Sequence, residues 1–223
     1  PTTVAASAQL GVTAPPGGTE VTFELLGPGG EPVRTATTTV EAGSDDASVG
    51  FEAAPALGYT DSYTVTVDAA GYETTEVTTT VAGAPGSEET ADLGTLAAEA
   101  VELTVDGELG VGAPEADFPV TATVTLPDGS RVERTVELDA GQGTISLSRT
   151  VPAIDEGATY DVTLRGSGYS DATTTVYAPP GGAATADAGT LEAEATAVTA
   201  TAELGATAPP GGVDVTFNLT GPD

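Results

Sequence analysis

One phrase occurs almost unchanged at two places in this chain, and it sets the scale of whatever the chain folds into. Residues 10–23 read LGVTAPPGGTEVTF and residues 204–217 read LGATAPPGGVDVTF, identical at 11 of 14 positions and 194 residues apart. Between them, residues 109–122 read LGVGAPEADFPVTA, which keeps 7 of the 14. Two further pairs give a similar spacing: Gly71-Tyr72 returns as Gly168-Tyr169, and Thr95-Leu96 as Thr190-Leu191. Solenoid units run to about 20–50 residues. A step of 95 to 99 residues is a whole domain, so the expected division is 1–100, 101–195 and an incomplete third copy, 196–223. The first copy matches the third better than the second, which points to a larger repeat of two domains.

Inside each copy the apolar residues alternate. Val21, Phe23 and Leu25 are separated by Thr22 and Glu24, and Tyr63, Val65 and Val67 by Thr64 and Thr66. The second copy repeats this with Tyr160, Val162 and Leu164, and with Val101, Leu103 and Val105. A period of two marks strands with one buried and one solvated face, and the outward β-branched Thr suits a pleated surface. Turn signals punctuate the runs. Ala-Pro-Pro-Gly-Gly occurs at 14–18, 178–182 and 208–212, and Gly27-Pro28-Gly29-Gly30 matches Leu126-Pro127-Asp128-Gly129. Pro presets φ and Gly supplies positive φ. The first copy then reads as strands at 4–11, 19–26, 32–40, 47–53, 62–68, 74–81 and 89–98. Residues 197–220 read as the first two strands of the third copy. Seven short strands per copy, with no useful helical period, predict an all-β chain of tandem seven-stranded antiparallel Ig-like β-sandwich domains. From Leu96 to Leu103 and from Leu191 to Val198 there is neither Gly nor Pro. One domain is therefore expected to run almost directly into the next, through a junction stiffer than a Gly/Ser spacer.

The order Tyr63-Thr-Val-Thr-Val, Asp68-Ala-Ala-Gly71-Tyr72, Ala91-Asp92-Leu93-Gly94-Thr95-Leu96 resembles the second half of carboxypeptidase-regulatory-like and related Ig-like repeats. The second copy shows the same order as Tyr160–Leu164, Gly168-Tyr169 and Ala188–Leu191. The resemblance implies a domain type that recurs in archaeal and bacterial surface proteins.

Composition narrows the function. The chain has 34 acidic residues against 5 basic ones, all Arg, for a net charge of −29. Like charge on this scale repels itself and destabilises a compact state unless salt screens it. The Debye length falls from about 8 Å at physiological ionic strength to about 3 Å at 1 M. We read the chain as halophilic, of haloarchaeal type; a secreted acidic protein of a GC-rich bacterium is the plainer alternative. The charge opposes binding to nucleic acid, whose phosphates need Lys and Arg, and to anionic membrane surfaces. No apolar run reaches the length that spans a bilayer, so no membrane insertion is expected of this segment. Residue 1 is Pro, so the chain is expected to be processed, cut or part of something longer.

His, Cys, Lys, Met and Trp are all absent. Their absence removes imidazole bases, thiol nucleophiles, Schiff-base lysines and the soft metal sites. Carboxylate pairs remain, but among so many acids nothing singles one pair out, and no catalytic or cofactor-binding residue is assigned. Calcium is the one metal the residue types allow, since it takes six to eight oxygens. Asp45 and Asp46, in the densest acidic loop, are its candidates, although the copy-two counterpart is Gln142-Gly143; the plainer reading of that loop is a solvated acidic surface. Asn218-Leu219-Thr220 fits the N-glycosylation pattern, and Asn218 is the only Asn in the chain. The expectation is a non-enzymatic structural component of an extracellular filament, stalk or surface layer. Its partners would be neighbouring repeats or further copies of itself. An adhesive or carbohydrate-binding surface module and a viral tail or spike fibre are the alternatives.

Overall fold

Alternation decides which face of a strand is buried but not which strand it pairs with, and the pairing is what the structure adds. In this computed structural model, residues 1–58, 61–73, 79–82 and 84–220 are described. Seven strands occupy the first repeat: β1 (Thr2–Leu10), β2 (Thr19–Leu26), β3 (Pro32–Val40), β4 (Asp46–Ala54), β5 (Ser62–Ala69), β6 (Thr79–Ala82) and β7 (Glu88–Leu96). Seven more occupy the second: β8 (Val101–Leu109), β9 (Phe118–Thr125), β10 (Arg131–Leu138), β11 (Thr144–Val151), β12 (Tyr160–Gly166), β13 (Ala172–Val176) and β14 (Ala183–Leu191). The expected strand at 74–81 falls partly outside the described residues; its end is β6. The fold is all-β, and among the described residues no helix is long and apolar enough to cross a membrane.

Each repeat makes a three-stranded and a four-stranded sheet. The orders are β4-β1-β7 with β3-β2-β5-β6, and β11-β8-β14 with β10-β9-β12-β13. The expected antiparallel sandwiches are present, with one parallel pair in each repeat. β1 runs parallel to β7, and β8 runs parallel to β14. The parallel pair arises because the first and last strands of a repeat lie side by side in one sheet. Both parallel pairs carry a bulge at the same place. The register slips between Ser7/Gln9 opposite Asp92/Thr95, and again between Asp187 and Thr190. The Asp92 carboxylate accepts the Gly94 amide at 3.0 Å, and Asp187 accepts Gly189 at 2.9 Å. Gly94 and Gly189 have φ of 71° and 73°. The extra residue shifts the strand's alternation by one, so that Leu93 and Leu96 both reach the core although three positions separate them. That is the physical content of the repeated Leu-Gly-Thr-Leu and Ala-Gly-Thr-Leu steps.

The inward rows are those the alternation marked. Val21, Phe23, Leu25, Tyr63 and Val65 are fully buried, as are Leu103, Tyr160 and Leu164. They fall into two separate clusters. One runs from Val4 to Leu96 and the other from Val101 to Leu191. Burying one such Val, Leu or Phe side chain contributes about 1.5–3 kcal/mol. The β2–β3 and β9–β10 hairpins close with matching turns. Gly30 donates to the Gly27 carbonyl and Gly129 to that of Leu126, both at 2.9 Å.

The chain divides into two compact units, Pro1–Ala193 and Glu194–Asp223. The first holds both sandwiches. In the second, the expected strands at 197–220 are absent from the described residues. The topology supplies the reason. β1 and β2 do not pair with each other; they sit in opposite sheets, β1 between β4 and β7, and β2 between β3 and β5. Their counterparts at 197–220 therefore cannot form a hairpin and would need the partners that β3, β4, β5 and β7 provide in the first repeat. The inward residues of the pattern are nonetheless present, and Val198, Leu204, Val213, Val215, Phe217 and Leu219 are all exposed.

Candidate functional site: the junction between the sandwiches

Four residues, 97–100, separate β7 from β8. The short connection predicted from the absence of Gly and Pro is present, and it is clamped from both sides. The Gly71-Tyr72 turn after β5 holds it on the first repeat. Tyr72 bridges to Ala98, the Glu73 amide donates to the Ala97 carbonyl at 2.7 Å, and the Glu99 amide donates to Gly71 at 2.9 Å. On the second repeat, the Gly181 amide donates to the Glu99 carbonyl at 3.1 Å. Glu99 thus spends its amide on one sandwich and its carbonyl on the other.

Gly71 is the point of closest approach. Its φ is 84°, and a Cβ there would stand 2.4 Å from the Pro180 carbonyl oxygen. Both conditions exclude a side chain. Pro180 belongs to the second Pro-Pro-Gly-Gly phrase, where the Gly182 amide donates to Pro179 at 3.0 Å and Gly181 has a φ of 66°. The same phrase at 14–18 closes on itself through Gly18 and Pro15 at 2.8 Å, but between β1 and β2.

A second bond set crosses the junction through side chains. Thr13, in the β1–β2 loop, meets the β11–β12 loop at Asp155 and Glu156. The Thr13 amide donates to Asp155 Oδ1 at 3.0 Å, its hydroxyl lies 3.4 Å from the same oxygen, and that hydroxyl accepts the Glu156 amide at 2.8 Å. These partners are 142 and 143 residues apart in sequence.

Tyrosines brace the loops that make these contacts. Tyr72 donates to the Val12 carbonyl at 3.0 Å, holding the loop that presents Thr13. Its counterpart Tyr169 donates to Val111 at 2.7 Å. Tyr160 donates to Pro152 at 2.7 Å, holding the loop that presents Asp155, and Tyr63 donates to Pro55 in the first repeat. The sequence placed Tyr63 and Tyr160 in the apolar rows of their strands; it carried no sign of these carbonyl partners. Burial pushes the Tyr72 and Tyr160 phenols from 10.0 up to about 12, and charge on Tyr177 adds to both. Tyr177 has a buried hydroxyl without a hydrogen-bond partner among the described residues, and burial raises its pKa too, with Glu156 adding to the shift.

These shifts predict an alkaline limit. A phenol with a raised folded-state pKa holds its proton more tightly in the folded chain than in the unfolded one. Its contribution is complete below pH 10 and is lost as pH rises toward 12. Stability is expected to hold to about pH 10 and then fall. Phenolate absorbance from Tyr72 and Tyr160 should appear together with loss of the circular-dichroism signal, not ahead of it. Full ionisation near pH 10 in a folded chain would contradict the burial argument.

The other expected site residues lie elsewhere. Asp45 is half-buried and Asp46 exposed at the start of β4, where Asp46 accepts a 3.2 Å bond from the Gln9 amide. Among the described residues no three carboxylates come together in a way that could hold a metal ion. Asn218 and Thr220 are exposed and lie outside any described strand, in the Glu194–Asp223 unit. A shallow polar hollow lies beside each bulge, lined by Asp106, Ser146, Asp187 and Gly189 in the second sandwich and by Gln9, Asp46, Asp92 and Gly94 in the first.

No family model and no curated protein matches the chain. Solved structures resemble it at low identity. The TIE protein of Bacillus anthracis is 13% identical at a TM-score of 0.41, over 86% of this chain and 34% of that one. The shaft pilin of Lactobacillus rhamnosus GG is 12% identical at 0.29, over 87% and 99%. The major pilin of Streptococcus pyogenes is 13% identical at 0.30, over 86% and 98%. The chain thus spans about a third of the Bacillus anthracis protein. Likeness at this level leaves function to the chain's own residues.

Proposed function

We propose that this chain is a segment of a non-enzymatic extracellular filament, stalk or surface layer, in which joined β-sandwiches set distance and stiffness. The clamped junction carries this reading. A bead-on-string array with loose linkers would need neither Glu99 shared between two sandwiches nor the reach of Thr13 to Asp155. The residue inventory agrees, because a chain without His, Cys or Lys has few means of catalysis and ample means of packing. The charge of −29 favours a halophile, and with it a partner that is another repeat of the same protein rather than an anionic surface. Four of the five described tyrosines do not favour an adhesive module: Tyr63, Tyr72, Tyr160 and Tyr169 turn their hydroxyls to carbonyls of their own sandwich, and the hydroxyl of the fifth, Tyr177, is buried.

Immunogold labelling of intact cells of the producing organism tests this. Label is expected along surface fibres or a surface layer; label confined to the cytoplasm would overturn the proposal. Peptides from the same surface material should carry a glycan at Asn218, and an unmodified Asn218 peptide as the sole species would remove that site.

A further inference from the structure

The side chains that lock the junction are not shared by the two repeats. Thr13 corresponds to Gly112 in the second copy, within the aligned phrases at 10–23 and 109–122. Asp155 lies in a loop bounded by Pro152 and Tyr160, joined by the tyrosine hydroxyl; Pro55 and Tyr63 bound the same loop in the first repeat, with the same span of 8. Gly58 then stands where Asp155 does. Val176 pairs with Tyr160 as Val81 pairs with Tyr63, so Ala82 stands where Tyr177 does. Pro179 has Ala84 as its counterpart. The third copy returns to the first type, with Thr207 at the place of Thr13.

Two repeat types follow. Type one carries the threonine on the face it turns toward the next repeat. Type two carries the aspartate, the extra tyrosine and the second proline on the face it turns back. We propose that the array is articulated with a two-sandwich period: a type-one repeat followed by a type-two repeat is locked by Thr13 on the Asp155–Glu156 step, and the junction that leaves a type-two repeat has no such lock. Gly112 offers no hydroxyl to a following loop, and a type-one loop offers Gly58 in place of a carboxylate. In sequence, Gly168-Tyr169 and Glu194 repeat Gly71-Tyr72 and Glu99, whereas Thr13 and Asp155 are replaced by Gly112 and Gly58. This accounts for the 194-residue repeat: the pair of sandwiches is the unit that must be kept together.

The absence of Cys makes the test direct. Spin labels are placed at Thr37→Cys and Glu137→Cys, exposed positions on β3 and β10, and the distance distribution is measured by pulsed electron paramagnetic resonance in molar salt. A narrow distribution is expected in the otherwise native chain. Thr13→Gly with Asp155→Gly places at the first junction the residues found at these positions in the other copy, Gly112 and Gly58, and is expected to broaden the distribution about twofold, toward the free relative motion usual between domains. Thr13→Ser keeps the hydroxyl and should keep the distribution narrow. Unchanged circular dichroism is expected throughout, because both positions lie outside the two cores. A double variant as narrow as its parent, or a serine variant as broad as the double, would overturn the lock.

Discussion

Lowering the salt from above 1 M to about 0.1 M is expected to cut the melting temperature of both sandwiches by about 20 °C. The structure removes the usual compensation for high charge. Arg165 with Asp171 is the only ion pair among the described residues, and both partners are substantially exposed. Its strong geometry pulls the Asp171 carboxyl below its usual range, chiefly through the hydrogen bond from Arg165, but an exposed pair contributes little to stability. Four of the five Arg lie in the second repeat, leaving Arg34 alone among residues 1–100. Carboxylates also face each other. Asp106 and Asp187 are register partners on the outward face of β8 and β14, an arrangement that is destabilising without screening. Two charges 10 Å apart in water repel by about 0.4 kcal/mol unscreened. A Debye length near 10 Å at 0.1 M leaves about a third of that, and one near 3 Å at 1 M about a thirtieth, a difference of about 0.1 kcal/mol per pair. Summed over many pairs per sandwich the difference reaches several kcal/mol, and each kcal/mol moves the midpoint of a domain this size by about 4–8 °C. Calorimetry across a salt series checks this. A midpoint that stays level below 1 M would remove the halophilic reading, and the first sandwich, with one Arg, should be the more sensitive.

Much of the fold could be read from alternation and turn chemistry because both are local. Val21, Phe23 and Leu25 had to share a face whatever strand lay beside them, and Gly30 and Gly129 had to close hairpins. The parallel β1–β7 pair was not legible, because a period of two is the same in either direction. The bulge at Asp92–Gly94 was visible only as a recurring Gly-Thr-Leu step whose purpose depends on the neighbouring strand. The third copy shows the same limit from the other side. Its alternation is intact from Val213 to Leu219, yet pairing depends on strands that belong to other parts of a repeat. The junction was half legible. Its shortness followed from the missing Gly and Pro, but Thr13 and Asp155 lie 142 residues apart and no spacing rule connects them. The available signal was a contrast between copies: Thr13 and Thr207 against Gly112, and Asp155 against Gly58.

Leu164→Ala is expected to destabilise the second sandwich by about 2–5 kcal/mol and to split the melting of the chain in two. Leu164 is fully buried at the end of β12, and its Cδ1 lies where a Cβ on Gly107 of the facing β8 would stand, 2.5 Å from that position. The first repeat has Ala8 at the place of Gly107, so the second sandwich gives up a methyl group there to seat the leucine. Removing the leucine leaves a cavity with glycine on its far side, which places the cost toward the upper part of the range. The two buried clusters share no residue, so the first core loses nothing directly. What could still couple them is the junction, whose side-chain bonds are mostly exposed and worth about 1 kcal/mol each. A loss of several kcal/mol in one sandwich exceeds what those bonds can transmit. Calorimetry should then resolve an early transition for the second sandwich and a nearly unshifted one for the first. A single transition displaced as a whole would mean that the junction binds the two sandwiches into one cooperative body, which would make it far stronger than its hydrogen bonds account for.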